Sequence, residues 1–555
     1  MALKEKLPAS MVAVGRLLRT KATLLGLYDR AERRHRLTAV RALVAQRPAH
    51  PSGRRVLIFG FRGWYPHVAW ESIIAHALRL RGVTVHVFSC GGPLPICEVN
   101  FRGADPKLAC AECAAYPREL VDALGLAHSW LRDYVDLREQ AAIRREVAVL
   151  RPSDYEQWSF AGQPLGLLVR DSVCWFLRRS RPDFGMPFDR RIYRDFLVAG
   201  AEVALLAPRL LDTTCPDVVL ELNGQFFAER ILNRYAASRA AVVAYEAAWR
   251  CDTLSFDRLW AAGPSDIDAA WAEFKDQALG PEEEAALDRW IAERAAGDMQ
   301  RDFYIQFSRA DGPRLRAGIG LREDLPTAVL FTNVVWDTAV MGRDVAFTSI
   351  SDWLRRTIEI FGEWRDRQLI VRIHPAEDLR PSMEAAEKLT AVVRQITPLP
   401  ENVYVIGARD PTSTYALMED CEVGLVYTST AGLEMALRGK PVVVAGRTSY
   451  RGRGFTLDME DEADYLALLD DAFERRIIDR SLARRFAHLL LFRYLHRIPV
   501  VRQRPRKLPL LDGSECGLLD KGRDPAFDHL LEALVAGMHF IEIDRTSDRP
   551  LGSRD

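Results

Sequence analysis

Residues 367–378, RQLIVRIHPAED, end an apolar run in an arginine, an imidazole, a proline and a carboxylate. An imidazole directly after a strand can donate to a phosphate or protonate a leaving oxygen. His374 is placed for this, with Arg372 before it, Pro375 stiffening it and Glu377 three residues on, close enough to turn back to the same site. A second stretch, VGLVYTSTAGLEMALRGKPVVVAG (423–446), sets Thr428, Ser429 and Thr430 where an apolar run gives way to a helix start. Hydroxyls and free N–H groups at a helix N-terminus suit an anion. Gly432 would let the chain come close to a ligand, and Glu434, one turn in, can accept from ribose hydroxyls. Plainer readings stand beside these: Pro375 opening a helix with Glu377 in its first turn, and an ordinary Ser/Thr cap. Asn333, Trp336 and Asp337 follow the run TAVLFTN (327–333), either facing the same cleft or serving as a packed tryptophan and a capping aspartate.

The first half of the chain offers a second set. GFRGWYPHVAWESIIAHAL follows the run VLIFG, with Arg62 and Trp64 in a loop and His67 and Glu71 four residues apart on one helix face. ELNGQFF puts Asn223 at a strand end, and AYEAAWR does the same for Glu246. His67, Glu71 and Glu246 are each candidates for a catalytic carboxylate or base, against duty as caps or supports.

Residues 90–113, CGGPLPICEVNFRGADPKLACAEC, carry Cys90, Cys97, Cys110 and Cys113 in a C-x6-C-x12-C-x2-C spacing. Four thiolates within so short a stretch suit a structural zinc ion. The first gap is wider than a zinc ribbon's, so free thiols remain the alternative. The other cysteines are scattered, and nothing suggests a catalytic thiol.

The elements that must hold these groups alternate between short apolar runs and helical stretches. VLIFG, VTVHVF, DVVLEL and AVVAYE form one set; TAVLFTN, QLIVRI, NVYVI, GLVYT and PVVVAG form another. Continuous apolar strands separated by helices mean parallel sheets covered on both faces. Two sets mean two Rossmann-like domains. The expected division is a basic helical arm at 1–55, a first Rossmann-like domain at 56–262, a helical linker at 263–324, a second Rossmann-like domain at 325–480 and a helical tail at 481–555. Within the first domain, 118–215 reads as a helical insertion without clear strands.

The 555 residues exceed what one core can organise. Lys+Arg and Asp+Glu are equal at 76 each, so net charge points to no particular partner, and no nucleic-acid partner is expected. The balance is uneven: residues 1–55 carry 13 basic residues against three acids, and Leu7, Met11, Val14, Leu17 and Leu18 recur there at helical spacing. That arm is expected either to pack on the first domain or to touch anionic lipid at the inner membrane. With no apolar run of membrane-spanning length and no signal-peptide pattern, the expected location is cytoplasmic.

Taken together, FTNVVWDTAV, VRIHPAE, DPTSTYALMEDCEVGLVYTSTAGLEMALRGKPVVVAG and YRGRGFT resemble the capsule polysaccharide biosynthesis family of bacterial glycosyltransferases, which includes capsule Kdo transferases. The resemblance is specific over about 325–460 and weaker over 56–250. It implies a GT-B-like fold of two Rossmann-like domains facing a cleft, with a nucleotide-sugar donor (CMP-, CDP- or UDP-linked) held by the second. His374 and Thr428–Thr430 would contact the donor phosphates, and Glu377 and Glu434 would face the ribose or base. The first domain would then take a glycan or lipid-linked acceptor, with Trp64 stacking on a sugar ring and Arg62 pairing with an acidic one. No cofactor is expected for catalysis. A nucleotide-sugar 2-epimerase and a non-catalytic export or binding protein are the alternatives.

Overall fold

The computed structural model describes residues 39–46, 50–99, 106–248, 250, 252–259, 266–296, 315–378, 385–475, 478–502 and 510–541. The expected arm with Leu7, Met11, Val14, Leu17 and Leu18 lies outside the described residues, as does part of the linker.

In the first sheet, β1 (Arg55–Phe59), β2 (Thr84–Ser89), β3 (Ala127–Trp130), β4 (Val218–Leu222) and β5 (Ala241–Ala247) run parallel in the order β3-β2-β1-β4-β5. β6 (Thr253–Arg258) adds antiparallel to β5. In the second sheet, β7 (Thr327–Phe331), β8 (Gln368–Arg372), β9 (Val403–Ile406), β10 (Val423–Val426), β11 (Val442–Val444) and β12 (Leu457–Asp458) run parallel in the order β12-β11-β10-β7-β8-β9. Both sheets have the doubly wound strand order of a Rossmann fold, with a reversal beside the first strand.

The apolar runs explain the layers. Alternate residues of a strand point to opposite faces, so Val56 and Ile58 feed one core layer of the first domain while Leu57 and Phe59 feed the other. Ala328 and Leu330 divide from Val329 and Phe331 in the same way in the second. The two Rossmann-like domains expected from the sequence are therefore present.

Two expectations need correction. The segment 118–215 is not free of strands: it contains β3, and the helices Leu137–Ala148, Leu165–Leu177 and Pro187–Thr214 follow it. The C-terminal segment is not only helical either. After the helix Arg480–His488, β13 (Leu495–Arg497) pairs antiparallel with β6 of the first sheet. Ile498, Val501, Phe527, Leu530 and Leu534 then complete the first domain's core. The missed β3 and β13 are both edge strands, AHSW and LHR, and a short edge strand need not be an apolar run. Among the described residues, no helix is long and apolar enough to cross a membrane.

Candidate active site

The second domain's polar strand ends converge at the place where its sheet reverses. β7 lies between β8 on one side and β10 on the other, and ligands of open α/β sheets bind beyond the strand ends at such a point. The buried Thr332 hydroxyl, just past β7, accepts from His374 N at 2.8 Å. The next residue turns the other way: Asn333 Oδ1 accepts from Thr428 N at 3.3 Å. Consecutive residues after one strand thus tie down the ends of both neighbours. His374 Nδ1 accepts from Ala376 N at 3.1 Å, as the cap of the short turn Pro375–Glu377. A neutral imidazole that accepts at Nδ1 carries its proton on Nε2. His374, Thr428, Ser429 and Thr430 are all partly exposed. Ser429 Oγ accepts from Ala431 N at 3.3 Å at the start of the helix Ala431–Leu437, whereas the Thr430 side chain makes no cap bond there.

Several expected donor residues have structural work instead. The Arg372 guanidinium is buried and donates to the carbonyls of Gly407, Asp410 and Thr412, pinning the loop after β9. Glu377 is buried and accepts from Leu389 N at 2.8 Å, Thr390 N at 3.2 Å and the Thr390 hydroxyl, so it caps the helix Leu389–Gln395 rather than turning to a ribose. Glu434 Oε1 accepts from Arg294 Nε at 2.8 Å, which commits that oxygen to the helix Pro281–Ala296. Gly432 makes room for Tyr450 and Val426: a Cβ there would lie 2.9 Å from Val426 Cγ2. Asp337 Oδ1 accepts from Ala339 N at 3.0 Å, the capping role. Trp336 is buried, with the Arg178 guanidinium 3.8 Å from one ring centroid and Trp175 meeting it edge-on at 6.1 Å. In the motif YRGRGFT, Arg451 holds the carbonyls of Val444 and Met459 and Arg453 pairs with Asp268.

The first domain gathers an unusual number of carboxylates beyond its own strand ends. Arg62 is not open to an acidic sugar. It is buried, with Nε 2.7 Å from Glu98 and Nη1 2.5 Å from Glu229. Burial works against that charged guanidinium, but Glu229 and Glu98 outweigh it and hold its pKa above the ordinary range. Burial also raises the Glu229 carboxyl, with Arg62 opposing. Glu71 is buried against Gly60 and accepts from the Tyr245 hydroxyl at 2.6 Å. Burial pushes its pKa up to about 8 despite that bond, so it holds its proton at neutral pH. Such a group can serve as an acid but not as an open nucleophile. His67 lies in the same pocket, its ring 5.7 Å from Tyr245 and 5.4 Å from Trp70. Glu246 is the most accessible carboxylate of the candidates: it is partly exposed at the end of β5, and its Oε2 accepts from Asn223 Nδ2 at 2.8 Å. Asn223 holds this position with a left-handed φ of 37°.

Trp64 packs rather than standing free, 6.1 Å from Trp175 and 5.8 Å from Phe226. Trp175 in turn meets Trp336, so an aromatic chain Trp64–Trp175–Trp336 joins the first strand end of one domain to that of the other. Beside it, the Arg178 carbonyl accepts from Ala386 N and Glu387 N, and Glu387 takes the Ser180 amide and hydroxyl. The two sets of strand ends therefore face one another across this contact.

The four clustered cysteines are neighbours in the fold. Among the described residues, no group of three or more His, Cys, Asp and Glu is arranged to hold a metal ion. Cys113 Sγ accepts from Gly63 N at 3.0 Å. Burial pushes the Cys90 thiol up to about 12 and the Cys97 and Cys113 thiols above their usual range. The expected structural zinc finds no support in this geometry.

Sequence reasoning missed Tyr245, Glu98, Glu221, Glu229, Trp175 and Arg178. One signal was available: Glu221 interrupts an apolar strand, and a carboxylate there must find a partner, here Asn233.

Residues 322–493 match the family model described as "Capsule polysaccharide biosynthesis protein". The match lies over the second sheet and its helices. No curated protein matches the chain. Among solved structures, the chain is similar to KpsC beta Kdo 2,4 transferase of Thermosulfurimonas dismutans, at 18% identity and a TM-score of 0.37, over 55% of this chain and 87% of that one. The KpsC beta Kdo 2,7 transferase of the same organism gives 16% identity and a TM-score of 0.32, over 56% and 87%. The UDP-GlcNAc 2-epimerase of Neisseria meningitidis gives 10% identity and a TM-score of 0.23, over 79% and 98%.

Proposed function

We propose that this chain is a GT-B glycosyltransferase of capsule polysaccharide biosynthesis that transfers a sugar from a nucleotide-sugar donor to a glycan or lipid-linked acceptor. The observation that carries the reading is the convergence of His374, Asn333 and Thr428 at the reversal of the second sheet. The match of that same domain to the capsule family supports it.

In this reading His374 donates from Nε2 to a phosphate oxygen of the leaving nucleotide, and the hydroxyls of Ser429 and Thr430 contribute further donors. Fixed donors aimed at developing charge need no reorganisation as the bond breaks. Glu246, held by Asn223, is the residue best exposed to act on the acceptor side as base or nucleophile. Glu71 stays protonated behind Tyr245 and supports the floor of that site. The base of the donor, its sugar and the acceptor belong to the test.

Purified protein is incubated with CMP-, CDP-, UDP-, GDP- and dTDP-sugars, with and without capsular oligosaccharide or glycolipid acceptors, and nucleotide release is followed. The reading expects release that depends on an acceptor. Conversion of a donor without any acceptor identifies an epimerase instead, and no donor turnover under any condition counts against both.

A further inference from the structure

Beyond the residues already discussed, two arginines stand together on the β10–β11 side of the same reversal. Arg447 N donates to Arg343 O at 2.9 Å, which joins the loop after β7 to the end of β11. Their neighbours are parts of the candidate site. A Cβ on Gly446 would lie 3.0 Å from Thr428 Cγ2, 3.1 Å from Arg343 O and 2.8 Å from Tyr427 O. Thr428 is the residue whose amide Asn333 holds, so the arginine pair borders the crevice in which His374 stands.

Among the described residues, no carboxylate forms an ion pair with Arg343 or Arg447. The nearest in sequence, Asp344, accepts from the Tyr427 hydroxyl at 2.5 Å. Burial, with repulsion from Arg447 added, weakens the hold of Arg343 on its proton. Elsewhere in the domain, arginines such as Arg372 and Arg451 are spent on backbone carbonyls. Two like charges brought together without a counter-charge cost stability unless an anion joins them.

We propose that Arg343 and Arg447 form an anion clamp that grips the phosphate of the nucleotide donor from the side of the crevice opposite His374. The proposal rests on the donor reading above and adds the two residues that supply its positive charge. Guanidinium groups suit this task because their fixed fork matches phosphate oxygens in pairs. They would also hold the leaving phosphate as its charge grows.

The test titrates CMP, UDP, inorganic pyrophosphate and the nucleosides cytidine and uridine into the wild-type chain and the variants Arg343→Gln and Arg447→Gln. Each variant is expected to weaken binding of the phosphate-bearing probes by about tenfold or more, as loss of a charge-assisted bond does. Nucleoside binding should not change. Arg447 is exposed, so Arg447→Gln carries the test alone if Arg343→Gln fails to fold. Unchanged nucleotide and pyrophosphate affinity in a folded variant overturns the clamp and leaves the donor reading standing. Pyrophosphate binding that the variants lose, without nucleotide binding in the wild type, leaves an anion site at the pair but overturns the donor reading and the clamp's part in it. Binding of no phosphate-bearing probe by the wild type overturns both.

Discussion

Asn333 and Thr428 are hydrogen-bonded, Oδ1 to N at 3.3 Å, across the line at which the second sheet reverses its winding. Thr332, one residue earlier, holds His374 on the other side. A single turn after β7 therefore sets the spacing between the imidazole and the hydroxyl cluster.

His374→Ala should lower turnover by roughly 10²-fold or more, the usual cost of removing a positioned proton donor. Its side chain is only partly buried, so the melting temperature should move little. Initial rates and thermal melts on the same preparation check both halves. Undiminished turnover would remove His374 from the mechanism.

Glu71 makes the stability of the first domain depend on pH. Its ordinary pKa near 4.5 is raised to about 8 by burial. Below pH 4.5 the folded and unfolded chains both hold the proton and nothing is lost. Between 4.5 and 8 the unfolded chain gives it up while the folded chain keeps it, so stability falls as pH rises. Glu71→Gln keeps an acceptor for the Tyr245 hydroxyl and abolishes the ionisation. The variant should therefore show a flatter melting-temperature profile over that window, with an advantage of several kcal/mol near pH 8. Parallel profiles for the two proteins would mean that Glu71 ionises freely in the fold.

Arg62→Met should destabilise the first domain by about 3–5 kcal/mol, because it leaves Glu98 and Glu229 buried without their partner. The loss should be smaller at pH 5 than at pH 8, since the stranded Glu229 carboxyl, pushed up by burial, can take up a proton at the lower value. Denaturant unfolding at the two pH values measures it. A loss of the same size at both would mean that water reaches the pair.

Glu377→Ala separates a cap from a ligand contact. Removing an N-terminal helix cap costs about 1 kcal/mol, and the helix Leu389–Gln395 should lose that much. Affinity for the donor nucleotide should stay within twofold of wild type on the same titration. A large loss of affinity would return Glu377 to the donor site.

Much of this was legible in the sequence. The strands QLIVR and VGLV are continuous apolar runs, and the polar residues after them could be assigned to strand ends without coordinates. What the sequence could not show was where a long side chain spends its charge. Arg372, Glu377 and Arg62 have the residue types of a binding site, yet each is engaged by a loop carbonyl, a helix start or a carboxylate remote in sequence. Conversely, Arg343 and Arg447 lie about a hundred residues apart in unremarkable stretches. Only the parallel packing around β10 and β7 brings them together. The short edge strands β3 and β13 escaped for a related reason: their partner, not their own composition, makes them strands.

The nucleotide should sit at the strand ends of the second domain. A crystal structure with the nucleotide that most raises the melting temperature tests it most directly. Phosphate oxygens are expected within about 3 Å of His374 Nε2 and of the Ser429 or Thr430 hydroxyls, with Asn333 still bonded to Thr428. A nucleotide bound in the first domain, or phosphates remote from His374, would contradict it.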